Sequence, residues 1–477
     1  MDIRLKTCME SVKGNGIVCD VGTDHAYLAA ELVKSGKCKK VIASDINEGP
    51  LESARKTVEK YGVSDKVELI LSDGLEKIPL DDVSDVIIAG MGGETIADII
   101  GRADTDDIQN IRFILQPMTK PEILRKKIYD YGFKIISEKI VRDSDKTYIV
   151  MCAEYNSDFK YLTEAEAYAG FFEDDEYRSK ESERLEKISL NLEKSGNHRE
   201  AVHYHALSCK VKHGWENIRI RDIYNYLNEL YPFDLQENWD NSGFLTEGSE
   251  EECSTVLLSL DITCPVICEA DCKGAGLIIS HHPVIFHALK NIRKFTPVYE
   301  LVSRDISAIC MHTNLDIAEG GTNGIILEKL KNNFNVKNTE PFEEIGKENN
   351  LGWIVELDEK IPARDFGRKL KDIFGCKYVR MTNNNSPLIG RIGFCSGSGG
   401  SMLSLALEKN CDALITGDVK HDVWIDSINN GKITVFDCGH FHTENIVLEE
   451  LRCVLEEKFP YLDVEISENS TDPCEYI

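Results

Sequence analysis

Two adjacent histidines follow an apolar run of strand character in the second half of the chain. The run is Leu277–Ser280, and His281, His282 and Pro283 come directly after it. Successive side chains of a strand point to opposite faces, so the two imidazoles leave the strand end in different directions and can serve two neighbouring metal ions. Proline cannot continue a hydrogen-bonded ladder, so we predict that the sheet stops here with both imidazoles at its rim.

Three later residues complete a set of metal-ligating types. Asp316 is the first of them, and His440 and Glu444 follow four residues apart. Neutral imidazoles together with carboxylates suit a pair of divalent ions, with one carboxylate bridging them. Mixed nitrogen and oxygen ligation favours zinc, manganese or iron over calcium. A lone histidine in any of these places would more often be a hydrogen-bonded structural residue, and the five residues together favour a metal site.

The bulk composition is that of an ordinary globular protein, with 42% hydrophobic and 29% charged residues. A length of 477 residues exceeds one hydrophobic core, so two or three domains are expected. No apolar run reaches the length of a membrane span, the N-terminus lacks a signal-peptide core, and the cysteines follow no framework spacing, which predicts a cytoplasmic protein without a membrane partner. A net charge of −27 argues against a general nucleic-acid coat but allows a local basic patch.

The first 155 residues or so alternate short apolar runs with amphipathic stretches. The strand-like runs lie at 17–20, 40–45, 67–71, 86–89 and 113–115. This alternation predicts an α/β fold with a doubly wound parallel sheet, which binds ligands at the carboxyl ends of its strands. A closing hairpin at 133–138 and 148–153, around a turn at 143–145, would supply the antiparallel last strand found in methyltransferases.

Small and acidic residues follow the first three predicted strands. Asp20 and Gly22 come at the end of the first, where the glycine allows a tight turn and a close approach to a ligand. Asp45 ends the second strand, where a carboxylate can accept both hydroxyls of a ribose. Asp73 and Gly74 end the third, in a position suited to an adenine. These residues predict a nucleoside-containing cofactor.

S-adenosylmethionine is favoured over a nicotinamide cofactor at this site. The three-glycine fingerprint of dinucleotide binding is missing, and Asp24 stands where a pyrophosphate would need uncharged backbone. The negative charge of Asp24 would repel phosphate, whereas a cationic sulfonium tolerates it. Two roles stay open for Asp24: a polar, catalytic partner of the base to be methylated, or a group that orients the amino-acid end of the cofactor.

Three motifs in this region resemble the tRNA adenine-N1 methyltransferase family known as TrmK. They are Asp-Val-Gly-Thr-Asp-His-Ala-Tyr at 20–27, Ile-Ala-Gly-Met-Gly-Gly at 88–93 and Leu-Gln-Pro-Met at 115–118. The resemblance covers about residues 1–215 and implies methylation of N1 of the adenine at position 22 of tRNA. A ring nitrogen needs orientation and an unpaired base more than a strong base. Gly90, in the cofactor site at the end of the fourth strand, would let the purine approach the backbone.

Residues 156–216 predict two antiparallel helices with a turn at 194–197. In the TrmK family this hairpin assists tRNA binding, and the residues that would contribute here are Lys210, Lys212, His213 and Trp215. A further basic patch is predicted late in the sheet, at Arg125, Lys126, Lys127, Lys134 and Lys139. A merely solvated charged face is the alternative interpretation of both sets.

A fresh α/β pattern begins at residue 217, with motifs at 240–243, 280–283, 312–316, 397–400, 416–418 and 439–444. These motifs read Asp-Asn-Ser-Gly, Ser-His-His-Pro, His-Thr-Asn-Leu-Asp, Gly-Ser-Gly-Gly, Thr-Gly-Asp and Gly-His-x-x-x-Glu. Together they resemble the Nif-three-like dinuclear-metal family, whose members are often called GTP cyclohydrolase type-two homologues. The resemblance covers 217–477 and implies two α/β subdomains and a homo-oligomer in the form of a hexameric ring.

The same resemblance implies which residues hold the two ions. The implied ligands are His281, His282, Asp316, His440 and Glu444, with Glu444 bridging. His312 would support the site from outside the ligand set. The chain departs from the family pattern at Asp422, where a histidine is usual, and at Gly324, where an aspartate is usual.

Three functions stay open for residues 217–477. The first is metal-assisted hydrolysis of GTP or another phosphate-containing small molecule, for which the glycine-rich segment 397–400 could cradle a phosphate. The second is a ring-forming scaffold or regulator whose metals are structural or sensory. The third is assistance to the tRNA methyltransferase carried by residues 1–155.

Overall fold

The computed structural model of the chain describes residues 2–143, 146–156, 161–345, 349–384 and 387–475. These residues form two compact units. The first unit holds the residues up to 185 together with 210–213, and the second holds 186–209 together with the residues from 214 onward. Within the described ranges, no helix combines the length and the apolar character needed to cross a membrane.

The first unit is built on one sheet. Its strands are β1 (Ile17–Val21), β2 (Lys40–Asp45), β3 (Val67–Leu71), β4 (Val83–Gly92), β5 (Arg112–Thr119), β6 (Phe133–Asp143) and β7 (Lys146–Tyr155). The helices along this part of the chain are α1 (Ile3–Glu10), α2 (Tyr27–Lys34), α3 (Glu48–Tyr61), α4 (Gly93–Gly101), α5 (Thr105–Ile108), α6 (Pro121–Asp130), α7 (Glu164–Ala169), α8 (Asp175–Lys194) and α9 (His198–His213).

The strand order is β3-β2-β1-β4-β5-β7-β6, and β7 runs antiparallel to both of its neighbours while the other pairs are parallel. Both faces of the sheet are covered, since Val18 belongs to one buried cluster and Cys19 to the other. The predicted doubly wound sheet with an antiparallel strand is therefore confirmed. Residues 144 and 145, in the predicted hairpin turn, lie outside the described residues.

Two basic residues that we expected at an exposed tRNA surface are buried. Arg125 is fully buried, lies 2.8 Å from Glu138 in an ion pair and donates to the carbonyl of Ala167 at 2.6 Å. Lys210 is only 3% exposed. The expectation is wrong for these two residues, because each charge faces the interior of the fold, which holds buried charges only with partners. Lys127 and Lys212 remain exposed.

The second unit contains many short elements. Its strands are β8 (Ile218–Arg219), β9 (Gly243–Thr246), β10 (Glu252–Cys253), β11 (Thr255–Ser259), β12 (Leu277–Ser280), β13 (Ser307–Cys310), β14 (Val336–Ile345), β15 (Asn349–Pro362), β16 (Arg380–Met381), β17 (Leu388–Phe394), β18 (Ala413–Thr416), β19 (Thr434–Asp437) and β20 (Asp463–Ile466). Its helices are α10 (Ile220–Leu230), α11 (Cys264–Lys273), α12 (Pro297–Ser303), α13 (Thr313–Ile317), α14 (Thr322–Asn333), α15 (Ala363–Phe374), α16 (Leu403–Glu408), α17 (His421–Asn430), α18 (His440–Glu444) and α19 (Val447–Lys458).

Two sheets organise the second unit, in agreement with the predicted pair of α/β subdomains. One has the order β20-β11-β12-β13-β9 and the other the order β14-β15-β17-β18-β19-β16. Each sheet has its own buried apolar clusters. The strands β11, β12 and β13 run parallel, as do β17, β18 and β19, so their carboxyl ends meet at one edge of each sheet. The residues that follow β12, β13 and β19 include all the predicted metal ligands.

Candidate metal centre and cofactor cleft

Three of the predicted metal ligands are histidines whose Nδ1 atoms are held by an acceptor. The pairs are His281 with the carbonyl of Met311 at 2.8 Å, His282 with Asp261 at 2.9 Å, and His440 with Asp418 at 2.8 Å. Such a bond fixes the ring orientation and keeps the proton on Nδ1, so the Nε2 lone pair is left for a metal ion. All three imidazoles are thus arranged as ligands through Nε2.

The Nε2 atoms converge on Glu444. Those of His282 and His440 lie 3.0 Å and 2.9 Å from one carboxylate oxygen of Glu444, and 3.2 Å from each other. His281 Nε2 lies 3.7 Å from the other oxygen of Glu444 and 3.7 Å from Asp316. The five predicted ligands therefore form two groups of three, within each of which the ligand atoms lie within 4.8 Å of one another. Glu444 belongs to both groups, as a bridging carboxylate must.

An unsatisfied nitrogen supports the fit of this site to metal ions. His281 is fully buried, and its Nε2 has no hydrogen-bond partner among the described residues. Asp316 is buried beside it, and burial raises the pKa of that carboxyl against the opposing charge of His281. Leaving a buried polar atom unpaired is unfavourable. A cation among His281, Asp316 and Glu444 would give each of them a partner, so the donor set fits the predicted divalent ions.

Burial and neighbouring charges act in opposite directions on the imidazoles. Burial disfavours the charged form of His282, but the bonds from Asp261 and Glu444 outweigh it and raise the pKa of His282 to about 10. The same opposition, with Glu444 and Asp418, raises the pKa of His440 to about 9. Burial alone would raise the pKa of Glu444, yet the surrounding histidines hold it well below its usual range. The carboxylates thus attract positive charge, which a divalent cation supplies in place of protons.

Two glycines let the ligand-bearing helix α18 approach its neighbours. A Cβ on Gly397, which has a φ of +57°, would lie 2.0 Å from a Glu444 carboxylate oxygen. A Cβ on Gly417 would lie 2.5 Å from the backbone nitrogen of His440. The amides of Gly397 and Gly399 donate to Thr443 and Thr416. The prediction that segment 397–400 could cradle a phosphate is therefore wrong for these two amides, which already have partners.

A fourth histidine shares the arrangement of the three ligands. Asp240 is 2.7 Å from His312 Nδ1, and its buried carboxylate also accepts from the amides of Asn241 and Thr313. Against the effect of burial, these bonds hold the pKa of Asp240 far below its usual range. A ring nitrogen of His312 lies within 4.8 Å of one on His281 and one on His282. The sequence indicated His312 as a supporting residue but gave no role to Asp240, which lies 72 residues earlier.

Neither residue at which the chain departs from the family pattern belongs to a group of candidate ligand atoms. His421 and Asp422 are exposed on the first turn of α17. Gly324 lies in α14, and a Cβ there would meet nothing within 4 Å. Its neighbour Asn323 donates to the carbonyl of Asp316 at 3.0 Å and thereby helps to position that ligand.

A cleft of about 550 Å³ opens at the carboxyl ends of β1, β2 and β3 in the first unit. It is lined by four of the predicted cofactor residues, namely Gly22, Asp45, Asp73 and Gly74. Asp20 lies beside it at 5% exposure, accepts from the Thr23 hydroxyl at 2.6 Å, and has its pKa raised to about 6 by burial. Asp24 does not line the cleft; its side chain is 78% exposed and 3.5 Å from His25.

The charges of the cleft fit S-adenosylmethionine better than a phosphate-containing cofactor. Asp45, Asp73 and Asp98 all line it, and both oxygens of Asp73 accept from Arg102 at 3.0 and 3.1 Å. Arg102, the one cation that the described residues contribute to this lining, is thus paired with a carboxylate, and a pyrophosphate would face uncompensated negative charge. Arg102 was not predicted, because nothing in its local sequence marks a contact with Asp73, which lies 29 residues away.

Gly90 lies at the end of β4, outside the cleft. Its φ is +84°, and its amide donates to Gln116 at 3.1 Å. Gln116 is fully buried, and its side-chain oxygen also accepts from Arg4 at 2.5 Å. The predicted residues of the first unit therefore fall in two places: the cleft at β1–β3 and the end of β4 beside β5.

Comparisons with known proteins match the two halves of the chain separately. A model of the family Duf34/NIF3 (NGG1p interacting factor 3) matches residues 218–473, and a methyltransferase-domain model matches residues 1–151. A GTP cyclohydrolase 1 type 2 homolog of Clostridium perfringens is 30% identical over 266 residues, which are 54% of this chain and 100% of the relative. The homolog of Campylobacter jejuni is 33% identical over 231 residues, which are 48% of this chain and 88% of the relative.

Solved structures similar to each half are also known. A Staphylococcus aureus hypothetical protein is 27% identical with a TM-score of 0.50, over 55% of this chain and 100% of the other. The Bacillus subtilis M1A22 tRNA methyltransferase TrmK is 27% identical with a TM-score of 0.41, over 44% of this chain and 98% of the other. On the family match over more than half of its length, the chain belongs to the Duf34/NIF3 family and carries a methyltransferase domain in residues 1–151.

Proposed function

We propose that the first unit transfers a methyl group from S-adenosylmethionine to N1 of adenine 22 in tRNA. The observation that carries this proposal is the meeting of Gly22, Asp45 and Gly74 at one acidic cleft, within a domain matched as a methyltransferase. The TrmK-like motifs at 20–27, 88–93 and 115–118 supply the choice of base.

The roles of the residues follow from their positions. Asp45 accepts the ribose hydroxyls of the cofactor, and Gly22 lets its backbone pass close to the bound molecule. The end of β4 at Gly90 receives the purine, whose N1 has its own lone pair and needs orientation. Asp24 is the catalytic residue of the proposal, as a partner of the target base or of the amino-acid end of the cofactor. S-adenosylmethionine supplies the activated methyl group.

The test is to map the methylated nucleoside in tRNA after reaction with the full chain and the cofactor. We expect 1-methyladenosine at position 22, and a product at another atom or position would contradict the proposal. Asp45→Ala should weaken cofactor binding in a calorimetric titration about tenfold to a hundredfold, since a charge-assisted hydrogen bond contributes about 1.5–3 kcal/mol. Asp65→Ala, at an exposed turn outside the cleft, is the matched control.

We propose that the second unit binds two divalent ions through His281, His282, Asp316, His440 and Glu444 and uses them in hydrolysis. The two ligand groups that share Glu444 carry this proposal. Bound ions of this kind activate a water molecule and polarise a substrate oxygen. Asp240 orients His312 so that its Nε2 can accept a proton from the attacking water. The proposed substrate is GTP or another phosphate-containing small molecule.

Elemental analysis of the purified full chain tests the metal site. Glu444→Gln should lower the content of both ions, whereas His281→Ala should lower mainly one. His421→Ala, an exposed histidine on α17, should leave both ions in place. A folded wild-type protein without metal, or equal metal content after Glu444→Gln, would rule the site out. Metal-dependent turnover of GTP then tests the hydrolytic step.

A non-catalytic scaffold in the form of a homo-hexameric ring is the second candidate, and exposed apolar residues favour it. Leu289, Ile292 and Phe295 are 49%, 56% and 83% exposed in the segment between β12 and α12. Clustered apolar surface of this kind is typical of assembly interfaces. Sedimentation of the full chain decides whether a ring forms. A ring that forms in solution, with no turnover of any tested phosphate compound, would favour this candidate.

A further inference from the structure

We propose that Arg380, with Lys377 and Tyr378, forms an anion subsite beside the metal ligands of the second unit, and that it binds the phosphate of a phosphorylated small molecule. The inference rests on the proposed metal-dependent function and adds to it the residues that bind the phosphate of the substrate. Lys377 and Tyr378 lie between α15 and β16, and Arg380 begins β16. This segment contributes no metal ligand.

One cleft brings this segment and the metal ligands together. It has a volume of about 460 Å³, and its lining includes His282 and His440 as well as Lys377, Tyr378 and Arg380. A cleft of this size accommodates a molecule such as a mononucleotide. A ligand in it would reach the Nε2-bearing rings of two metal ligands and a guanidinium at once.

The guanidinium of Arg380 is held in place. It pairs with Asp437, which is 3% exposed and also accepts from the amides of Val419 and Gly439. The two residues face each other in the ladder between β16 and β19, and the guanidinium lies 5.7 Å from the centre of the Trp424 ring. A guanidinium positioned in advance loses little freedom when an anion binds, which favours affinity.

Donor capacity remains on this guanidinium. Its bond to Asp437 is made by one Nη atom, and within the described ranges this is its one hydrogen bond. The side chain is 53% exposed, and because the Nη atom that bonds Asp437 has a second N–H group, two adjacent N–H donors remain to reach a ligand. Two donors in a planar fork match two oxygens of a phosphate, which is the anion that arginine binds bidentately in many proteins.

The acidic residues of the cleft have partners of their own. Asp261 and Asp418 hold the Nδ1 atoms of His282 and His440, and Asp472 lies 3.3 Å from His442. Their charge is therefore directed at imidazoles. These carboxylates are thus already paired when an anion approaches the Arg380 guanidinium.

The test measures binding to the metal-loaded full chain by calorimetry, with GMP, ribose 5-phosphate, guanosine and inorganic phosphate as probes. We expect GMP and ribose 5-phosphate to bind at least tenfold more tightly than guanosine. Arg380→Gln should remove at least tenfold of that affinity and leave guanosine unchanged, and Arg380→Lys should recover part of it. Lys377→Gln should cause a smaller loss. Arg368→Gln, a 76% exposed arginine on α15 that does not line the cleft, should change nothing.

Guanosine binding as tightly as GMP, or Arg380→Gln binding GMP like the wild type, would overturn the subsite. If Arg380→Gln fails to fold, Lys377→Gln decides, and unchanged GMP affinity in that variant overturns the proposal. Phosphate binding that exceeds that of both esters would assign the subsite to the free anion and overturn the substrate class. Metal content is measured on every sample, so a missing metal, which contradicts the proposed function, is distinguished from a missing subsite.

Discussion

At the scale of single residues, four histidines near Glu444 have their rings oriented in the same way, by a hydrogen bond at Nδ1. Each has Nδ1 against an acceptor, which is a backbone carbonyl for His281 and a carboxylate for the other three. Three of them have Nε2 close to Glu444, whereas His312 does not contact it. The three imidazoles near Glu444 are thus arranged as the predicted metal ligands, and the His312 ring is held in the same way without a contact to Glu444.

This difference predicts that His312 is not a metal ligand. His312→Gln should keep both ions, because His312 belongs to neither of the two candidate ligand groups that contain Glu444. Hydrolysis of any substrate found for the second unit should slow by about a hundredfold or more, as is usual when a general base is lost. Elemental analysis and single-turnover rates are the measurements. Loss of one ion from the variant would instead make His312 a ligand.

A buried carboxyl in the first unit predicts a pH dependence of stability. Burial raises the pKa of Asp20 to about 6 from its ordinary value of 3.8, so the folded state favours the protonated form. The resulting stabilisation is complete below the unfolded pKa and is lost as the pH rises through 6. Asp20→Asn lacks this loss, so its free energy of unfolding should rise relative to that of the wild type by up to about 3 kcal/mol between pH 4 and pH 7.

Thermal melting of both proteins without cofactor, at several pH values, measures the effect. The melting temperature of Asp20→Asn should rise relative to that of the wild type as the pH increases from about 4 to 6, and the difference should level off above pH 6. A constant difference between the two proteins across this range would show that Asp20 titrates at its ordinary pKa.

At the scale of elements, the buried parallel strands were the most predictable feature of the sequence. β11, β12 and β18 are buried at every position, so each reads as a short apolar run with small polar residues at its ends, and in β1 and β2 the apolar run reaches Asp20 and Ser44. The candidate site residues stand directly after these strands, because polar side chains are tolerated where a buried apolar run ends. Local sequence patterns were sufficient for these elements and for the spacing within α18.

Contacts between distant segments were not predictable in the same way. The bonds of Asp240 to His312, Arg102 to Asp73 and Arg125 to Glu138 each depend on how elements pack, and the chain around each residue carries no period or cap that marks it. Arg125 shows the consequence, since a run of basic residues on α6 predicted a basic patch for tRNA or a solvated face, while the fold turns the first residue of the run inward. The resemblance to known families could supply the ligand set but not these supporting contacts.

Segment 397–400 lies so close to α18 that a side chain at Gly397 is predicted to displace Glu444. Gly397→Ala places a Cβ 2.0 Å from a Glu444 oxygen and imposes a positive φ on alanine, which costs about 1–3 kcal/mol. We expect Glu444 to be displaced and both ions to be lost while the protein stays folded. Gly400→Ala is the control, because its Cβ would lie 3.4 Å from Val423. Equal metal content in the two variants would contradict the close approach.

At the scale of the whole molecule, each candidate site is contained within one unit. The residues that line the proposed cofactor cleft lie between 21 and 131, in the first unit, and the predicted metal ligands lie between 281 and 444, in the second. The helices α8 and α9 contribute to both units, and in the second unit Arg199 pairs with Glu328 and Glu450. One chain thus carries two sites that share no lining residue.

This separation predicts that the two ligands bind independently. Removing the metal ions with a chelator should leave the affinity for S-adenosylmethionine within about twofold of its value in the metal-loaded chain. Linkage requires any coupling to be reciprocal, so saturation with S-adenosylmethionine should likewise leave metal affinity unchanged. Calorimetric titrations in both directions on the full chain measure this. A change of the same factor in both titrations would mean that the two units communicate, which would favour the role of residues 217–477 as a partner of the methyltransferase over an independent hydrolase.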